Sequence, residues 1–190
     1  MTTLTKPTAR AASTALALEH ASDFAASADN AIKRMCDIFA SLLGIILLTP
    51  VWIIVALAVR LNDGGPAFFT QERVGLNGTT FTMFKFRTMR VDAEAMKASL
   101  VEANEADSSA GNSIMFKMTN DPRITRIGAF LRKTSIDELP QLFNVLRGDM
   151  SLVGPRPPLP SEVAQYEPRV MGKFAVRPGI TGLWQISGRS

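Results

Sequence analysis

Residues 38–59, IFASLLGIILLTPVWIIVALAV, form a run of 22 residues without a formal charge. At ~1.5 Å per residue, a straight helix of that length reaches roughly 33 Å, enough to cross a hydrocarbon core of ~30 Å. Two features favour a different path. Pro50 lacks an N–H and costs about 3 kcal/mol inside a helix, leaving a carbonyl that the Thr49 hydroxyl or a neighbouring helix must satisfy in lipid. Lys33 and Arg34 precede the run and Arg60 follows it. Positive residues favour the cytoplasmic side, so both ends prefer the same side. The pattern admits two paths, a re-entrant helix–break–helix hairpin over residues 32–61, interrupted at Thr49 and Pro50, or a kinked spanning helix.

Composition narrows the chemistry. Cys36 is the only cysteine and His20 the only histidine in the 190 residues. A disulfide framework and a cysteine zinc site are excluded, and Ser–His or Cys–His catalysis is disfavoured. Any metal must be held by oxygen ligands, which suits magnesium. Residues 121–190 carry ten Lys/Arg against six Asp/Glu, which accounts for the net charge of +4. A basic region beside a membrane element fits lipid headgroups or a phosphorylated substrate. No aromatic-interleaved or helix-turn-helix pattern supports nucleic acid as a partner.

In chain order, residues 1–31 read as a flexible tail, helical near 11–26, without a secretory signal. The membrane element follows at 32–61, and 62–190 form a cytosolic, membrane-associated domain. Asp63-Gly64-Gly65-Pro66 punctuates a turn; Ala67–Val74 and Thr79–Met89 read as strands joined by GLNG. On the second strand Lys85 and Arg87 project from one face, about 7 Å apart. Such cations either blunt a solvated strand edge or line an anion site. Residues 91–105 read as a helix and 106–113 as a polar loop. Asn120-Asp121-Pro122 reads as the start of a basic helix with Ile124, Ile127 and Leu131 on its apolar face.

Ser135 and Glu138 have the spacing of a capping box, followed by Leu139, Leu142, Phe143 and Leu146 as an apolar stripe. Asp137 and Glu138 then fall in the first turn of that helix. There they either serve only the helix dipole or act as a catalytic pair, with the helix terminus keeping a carboxylate ionised and attracting phosphate. Adjacent helical side chains diverge by about 100°, so the pair would divide labour rather than face each other. Arg156, between Pro155 and Pro157, is held on extended backbone and suits phosphate binding. Trp184 reads as an anchor in the core or at the membrane interface.

The proline-broken apolar run, KFRTM (85–89), NDPRITRIGAFLRKTSIDELPQL (120–142), GDMSLVGPRP (148–157) and RPGITGLWQISGR (177–189) together resemble the monotopic phosphoglycosyl transferases. These are bacterial polyprenyl-phosphate sugar-1-phosphate transferases, and the likeness runs from about Lys33 to Arg189. It implies an α+β monotopic membrane protein, with a re-entrant hairpin and a small catalytic domain of helices plus a β-hairpin on the cytoplasmic face of the bacterial inner membrane. It implies transfer of hexose-1-phosphate from a UDP-sugar to undecaprenyl phosphate, releasing UMP, with Mg2+ as cofactor. Asp137 is implied as nucleophile, forming an aspartyl-phosphosugar, and Glu138 as its partner, both also as metal ligands. Lys85, Arg87, Arg132 and Arg156, with Pro155 and Pro157, are implied in phosphate and nucleotide binding. The wording of DGGPAFF and GLWQISGR resembles exopolysaccharide-initiating members that use glucose or galactose.

Three departures stand out. Thr49 replaces the serine usual before the helix-breaking proline. The tail lacks the multi-span domain of larger relatives. Relatives also continue past the SGR motif, whereas this chain stops at Ser190. The last point motivates an alternative, a non-catalytic membrane-anchored protein that binds lipid phosphates or assists assembly. Self-association is left open.

Overall fold

The computed structural model describes the backbone of residues 9–96 and 121–182, and the side chains of residues 30–96 and 121–182. Its first element is a single helix, α1 (Ala9–Asp63), which takes in the segment expected to be helical near 11–26. The helix continues through Pro50, so the expected interruption is absent from the secondary structure. The Thr49 hydroxyl donates to the Ile45 carbonyl at 2.7 Å, the back-bond anticipated beside a proline. Packing explains why the helix persists: residues on both sides of Pro50 are held by the same body of protein.

That packing follows one stripe. Asp37, Ser41, Trp52, Val55 and Val59 are buried, and Ile45, Leu48 and Ala56 pack against the core. The spacing of three and four residues is that of one helix face. Gly44 lets the helix approach Leu142, whose Cδ1 would lie 3.1 Å from an added Cβ. Trp52 meets Phe143 at 5.2 Å and Phe86 edge-on at 6.4 Å between ring centroids. The opposite face leaves Phe39, Ile46, Leu47, Ile54, Leu57 and Leu61 exposed. Among the described residues α1 contains the one span, Asn30–Asp63, long and apolar enough to cross a membrane.

Both ends of that span touch the rest of the protein. At its start, Lys33 donates to Ser151, and the Arg34 guanidinium donates to the Val145 and Leu146 carbonyls at 2.6 and 2.9 Å. Asp37 accepts from the Leu152 N–H at 3.1 Å. At its end, Asp63 pairs with Arg87.

The expected hairpin is present as β1 (Phe68–Val74) and β2 (Thr80–Phe86), antiparallel with Phe69 opposite Lys85 and Gln71 opposite Met83. Asn77 and Gly78 take positive φ in the connecting turn. Two helices follow, α2 (Arg126–Thr134) and α3 (Gln141–Arg147). A second, parallel sheet pairs β3 (Ser151–Val153) with β4 (Gly179–Thr181), and a one-turn helix α4 (Pro160–Val163) lies between them in sequence.

Two helix starts differ from expectation. Helix α2 is capped by Thr125, whose hydroxyl accepts from the Gly128 N–H at 2.8 Å. Asp121 is instead occupied with Arg123, accepting from its backbone and side chain at 3.0 and 2.9 Å, so Pro122 lies in the preceding turn. Ser135 is no capping residue: it is the left-handed C-cap of α2, at φ 58° and ψ 16°, and its side chain caps nothing. Within the expected 91–105 helix, 91–92 form a turn, 93–96 are helical, and 97–105 lie outside the described residues, as do the 106–113 loop, Asn120 and Trp184.

Candidate active site

The left-handed Ser135 shapes the centre of the molecule. It ends α2 and turns the chain into a short 3-10 segment, Ile136–Glu138, before α3 begins. A non-glycine residue at positive φ carries strain of order 1–3 kcal/mol and persists when its surroundings enforce it. Here Ile136 packs into the apolar core, and the Glu138 and Leu139 N–H groups close tight turns onto Ser135 and Ile136 at 3.2 Å each. Asp137 is thereby turned inward and only 8% exposed. Glu138 accepts from Lys85 Nζ at 2.8 Å.

Strand β2 and the segment after it supply the cations. Lys85 faces the acidic turn, so it is no solvated edge residue. Arg87 is buried against Asp63, and its Nε and Nη1 have no hydrogen-bond partner. Arg132, in the last turn of α2, donates from Nε to the Thr88 hydroxyl at 2.9 Å. A cleft of about 720 Å³ collects these groups, lined by Lys85, Arg87, Arg132, Asp137, Glu138, Arg156 and Pro157 among others. That volume is within the usual range of ~300–1,000 Å³ for small-molecule sites. Pro155 does not line this cleft but borders a small neighbouring pocket with Arg156. Thr49 and Pro50 lie on α1, away from the cleft lining.

The loop carrying Arg156 is fastened on both sides. The Pro155 carbonyl accepts from Gly179 N–H at 2.9 Å and the Pro158 carbonyl from Val74 N–H at 3.0 Å. Gly154 and Gly179 press so close that a Cβ on either would overlap the facing backbone. This explains why the GPRP and RPGITG motifs, distant in sequence, need glycine where they meet.

Electrostatics correct one expectation. Burial pushes the Asp137 carboxyl above its ordinary value of 3.8; Lys85 and Arg132 oppose that shift and the charge of Glu138 adds to it. A helix terminus does not dominate, because Asp137 lies in a 3-10 turn ahead of α3 rather than in the helix's first turn. The result is a desolvated carboxylate flanked by cations, suited to attack on an electrophilic phosphorus. For magnesium, the two adjacent carboxylates are hard oxygen donors of the kind the ion accepts. It is commonly held by one or two carboxylates plus substrate phosphates, so Asp137 and Glu138 fit it only together with a phosphorylated ligand.

Residues 28–190 match the bacterial sugar transferase family. The chain belongs to that family. Its similarity extends to the galactosyl transferase CpsE of Streptococcus agalactiae, 51% identical over 158 residues, 83% of this chain and 34% of the relative. The undecaprenyl-phosphate galactose phosphotransferase of Salmonella typhimurium is 46% identical over 159 residues, 84% of this chain and 33% of that protein. The exopolysaccharide production protein ExoY of Sinorhizobium fredii is 42% identical over 158 residues, 83% of this chain and 70% of its own length. The chain thus spans about a third of the longer relatives, 34% and 33% of them, and most of the shorter one. These names agree with the polyprenyl-phosphate sugar-1-phosphate transferases that the ordered motifs resemble.

In this bacterial sugar transferase the structure adds residues that sequence reading passed over. Arg73 of β1 is buried in the cleft wall and donates to the Pro157 carbonyl at 3.1 Å. The period-two register could have found it, since Phe69, Gln71 and Arg73 share the strand face that meets Met83 and Lys85. Asn144 is fully buried, accepts from the Phe84 N–H at 3.0 Å and donates to the Thr82 carbonyl at 2.7 Å. It joins α3 to β2 and so fixes the strand that carries Lys85.

Proposed function

We propose that this chain transfers hexose-1-phosphate from a UDP-sugar to undecaprenyl phosphate and releases UMP, as the first membrane step of exopolysaccharide synthesis. One observation carries the reading: the Asp137 carboxylate is desolvated inside a cation-lined cleft, beside the Lys85–Glu138 pair. In the first step an Asp137 oxygen attacks the sugar-bearing phosphorus. The bond from that phosphorus to the bridging oxygen breaks, and its electron pair leaves with UMP. In the second step an oxygen of undecaprenyl phosphate attacks the same phosphorus and expels the carboxylate, forming the lipid-linked diphosphate sugar. Donor and acceptor use the site in turn, so one cleft suffices for both.

Lys85, Arg87, Arg132 and Arg156 offset charge on the phosphates, with Pro155 and Pro157 holding Arg156 in place. Phosphoryl transfer depends chiefly on such positioning and neutralisation. Mg2+, held by Asp137, Glu138 and the donor's phosphates, would supply further charge neutralisation. Glucose and galactose are the favoured sugars, galactose in keeping with the two relatives named for it. The chain acts from the cytoplasmic face of the bacterial inner membrane, with both ends of the apolar span of α1 on that face. Contact of both ends of the apolar span with one catalytic body supports this path.

Donor added to purified protein should release UMP and leave a phosphohexose adduct on Asp137, visible by intact mass and peptide mapping. Turnover without any trappable adduct would reject the covalent route. UMP release that is equal in Asp137→Asn would reject the nucleophile.

A further inference from the structure

Arg73 lies in the cleft wall and its side chain ties β1 to another loop. Its guanidinium donates from Nη1 to the Pro157 carbonyl at 3.1 Å and from Nη2 to Gln71 Oε1 at 2.6 Å, while the buried Nε has no hydrogen-bond partner. The next residue, Val74, donates its N–H to the Pro158 carbonyl at 3.0 Å. Two consecutive residues of β1 therefore hold two carbonyls of the loop that presents Arg156. Glu162 closes the same block, accepting from the Leu159 N–H at 2.8 Å at the start of α4.

Burial lowers the proton affinity of Arg73, the nearby Arg156 guanidinium lowers it further, and Glu162 and Glu138 only partly compensate. The Arg73 and Arg156 guanidinium groups both line the cleft and repel each other, and an anion bound there relieves that repulsion. A lysine offers one compact charge and cannot hold a carbonyl and a side-chain amide through one planar fork.

We infer that Arg73 is a positioning residue which, through the Pro157 carbonyl, sets Arg156 to receive the phosphate that departs with the nucleotide. The inference rests on the UDP-sugar reading above and deepens it. It assigns the wall formed by β1, Arg156 and Pro157 to the nucleotide's own phosphate, leaving Lys85 and Arg132 beside Asp137 for the transferred one. A role confined to stabilising the loop would weaken every part of the nucleotide alike. Positioning of Arg156 weakens only what carries a phosphate.

The test compares UMP with uridine as probes, titrated by calorimetry against the full chain in detergent, for wild type, Arg73→Gln and Arg73→Lys. Arg73→Gln should weaken UMP by about tenfold or more, the scale of a lost charge-assisted contact, and leave uridine within about twofold. Arg73→Lys should lose less, restoring charge without the fork. If Arg73→Gln does not fold, Arg73→Lys carries the test by the same UMP-to-uridine ratio. An unchanged ratio in a folded variant, or equal weakening of both probes, overturns the role of Arg73 and leaves the UDP-sugar reading standing. Failure of wild type to bind UMP overturns both.

Discussion

A carboxylate that attacks phosphorus must be ionised, yet Asp137 sits where burial favours its protonated form. Its folded-state pKa lies above the unfolded one. Its contribution to stability is therefore complete below the unfolded value and lost as pH rises through the folded value. At neutral pH the ionised side chain costs stability that an amide would not. Asp137→Asn should raise the thermal midpoint of metal-free protein at neutral pH, with the gain shrinking as the pH is lowered. The same variant should lower turnover by at least about 10³-fold, the scale of a missing nucleophile. Lys85 acts against burial, so Lys85→Gln should move the acid limb of the pH–rate profile upward; an unmoved limb would show that Lys85 does not set this ionisation. In the sequence these side chains stand out through the ordered motifs that carry them, since an Asp–Glu pair in a first turn by itself reads as serving the helix dipole. Their environment was not legible, since desolvation of Asp137 depends on α2, β2 and the Ser135 turn meeting in space.

Elements were readable where pattern and turn chemistry agreed. The β1–β2 hairpin followed from alternation and GLNG, and its register puts Met83 and Lys85 on a shared face, as period two requires. Helix boundaries failed where one spacing admits two uses. Ser135 and Glu138 satisfy a capping-box spacing, but α2 arrives directly before Ser135 and needs a left-handed residue to end it. Asp121 could cap a helix, but Arg123 two residues later claims its carboxylate. The packing of α2 depends on Gly128, where a Cβ would overlap the Thr88 carbonyl. Thr88 also receives the Arg132 guanidinium, so this contact links helix position to the cleft. Gly128→Ala should destabilise the protein by about 1–3 kcal/mol, the usual cost of overpacking, and reduce turnover by displacing Arg132. Wild-type stability and turnover in that variant would mean that the helix and the 88 segment yield freely.

At the scale of the whole molecule, α1 presents one face to protein and the other to something apolar. Burying a Leu, Ile or Phe side chain is worth about 1.5–3 kcal/mol, so the exposed row from Phe39 to Leu61 favours lipid strongly. Length alone suggested crossing, since Asn30–Asp63 has 34 residues. The contacts tie both ends of the span to one body of protein. Arg34 holds the end of α3, Asp37 holds β3, and Asp63 holds Arg87 beside the cleft. Were this segment to cross ~30 Å of hydrocarbon, one of these sets would have to part from the catalytic body or pull it into lipid. Breaking it would leave buried charges such as Arg87 without partners, at a cost of several kcal/mol. Single cysteines at Asn30 and Asn62, in a Cys36→Ser background, place one reporter on each side of the apolar run without removing the Asp63 pair. Both should react with an impermeant thiol reagent in inverted membrane vesicles and be protected in intact spheroplasts. Labelling from opposite sides would require α1 to span, and with it a different seat for the cleft relative to the membrane.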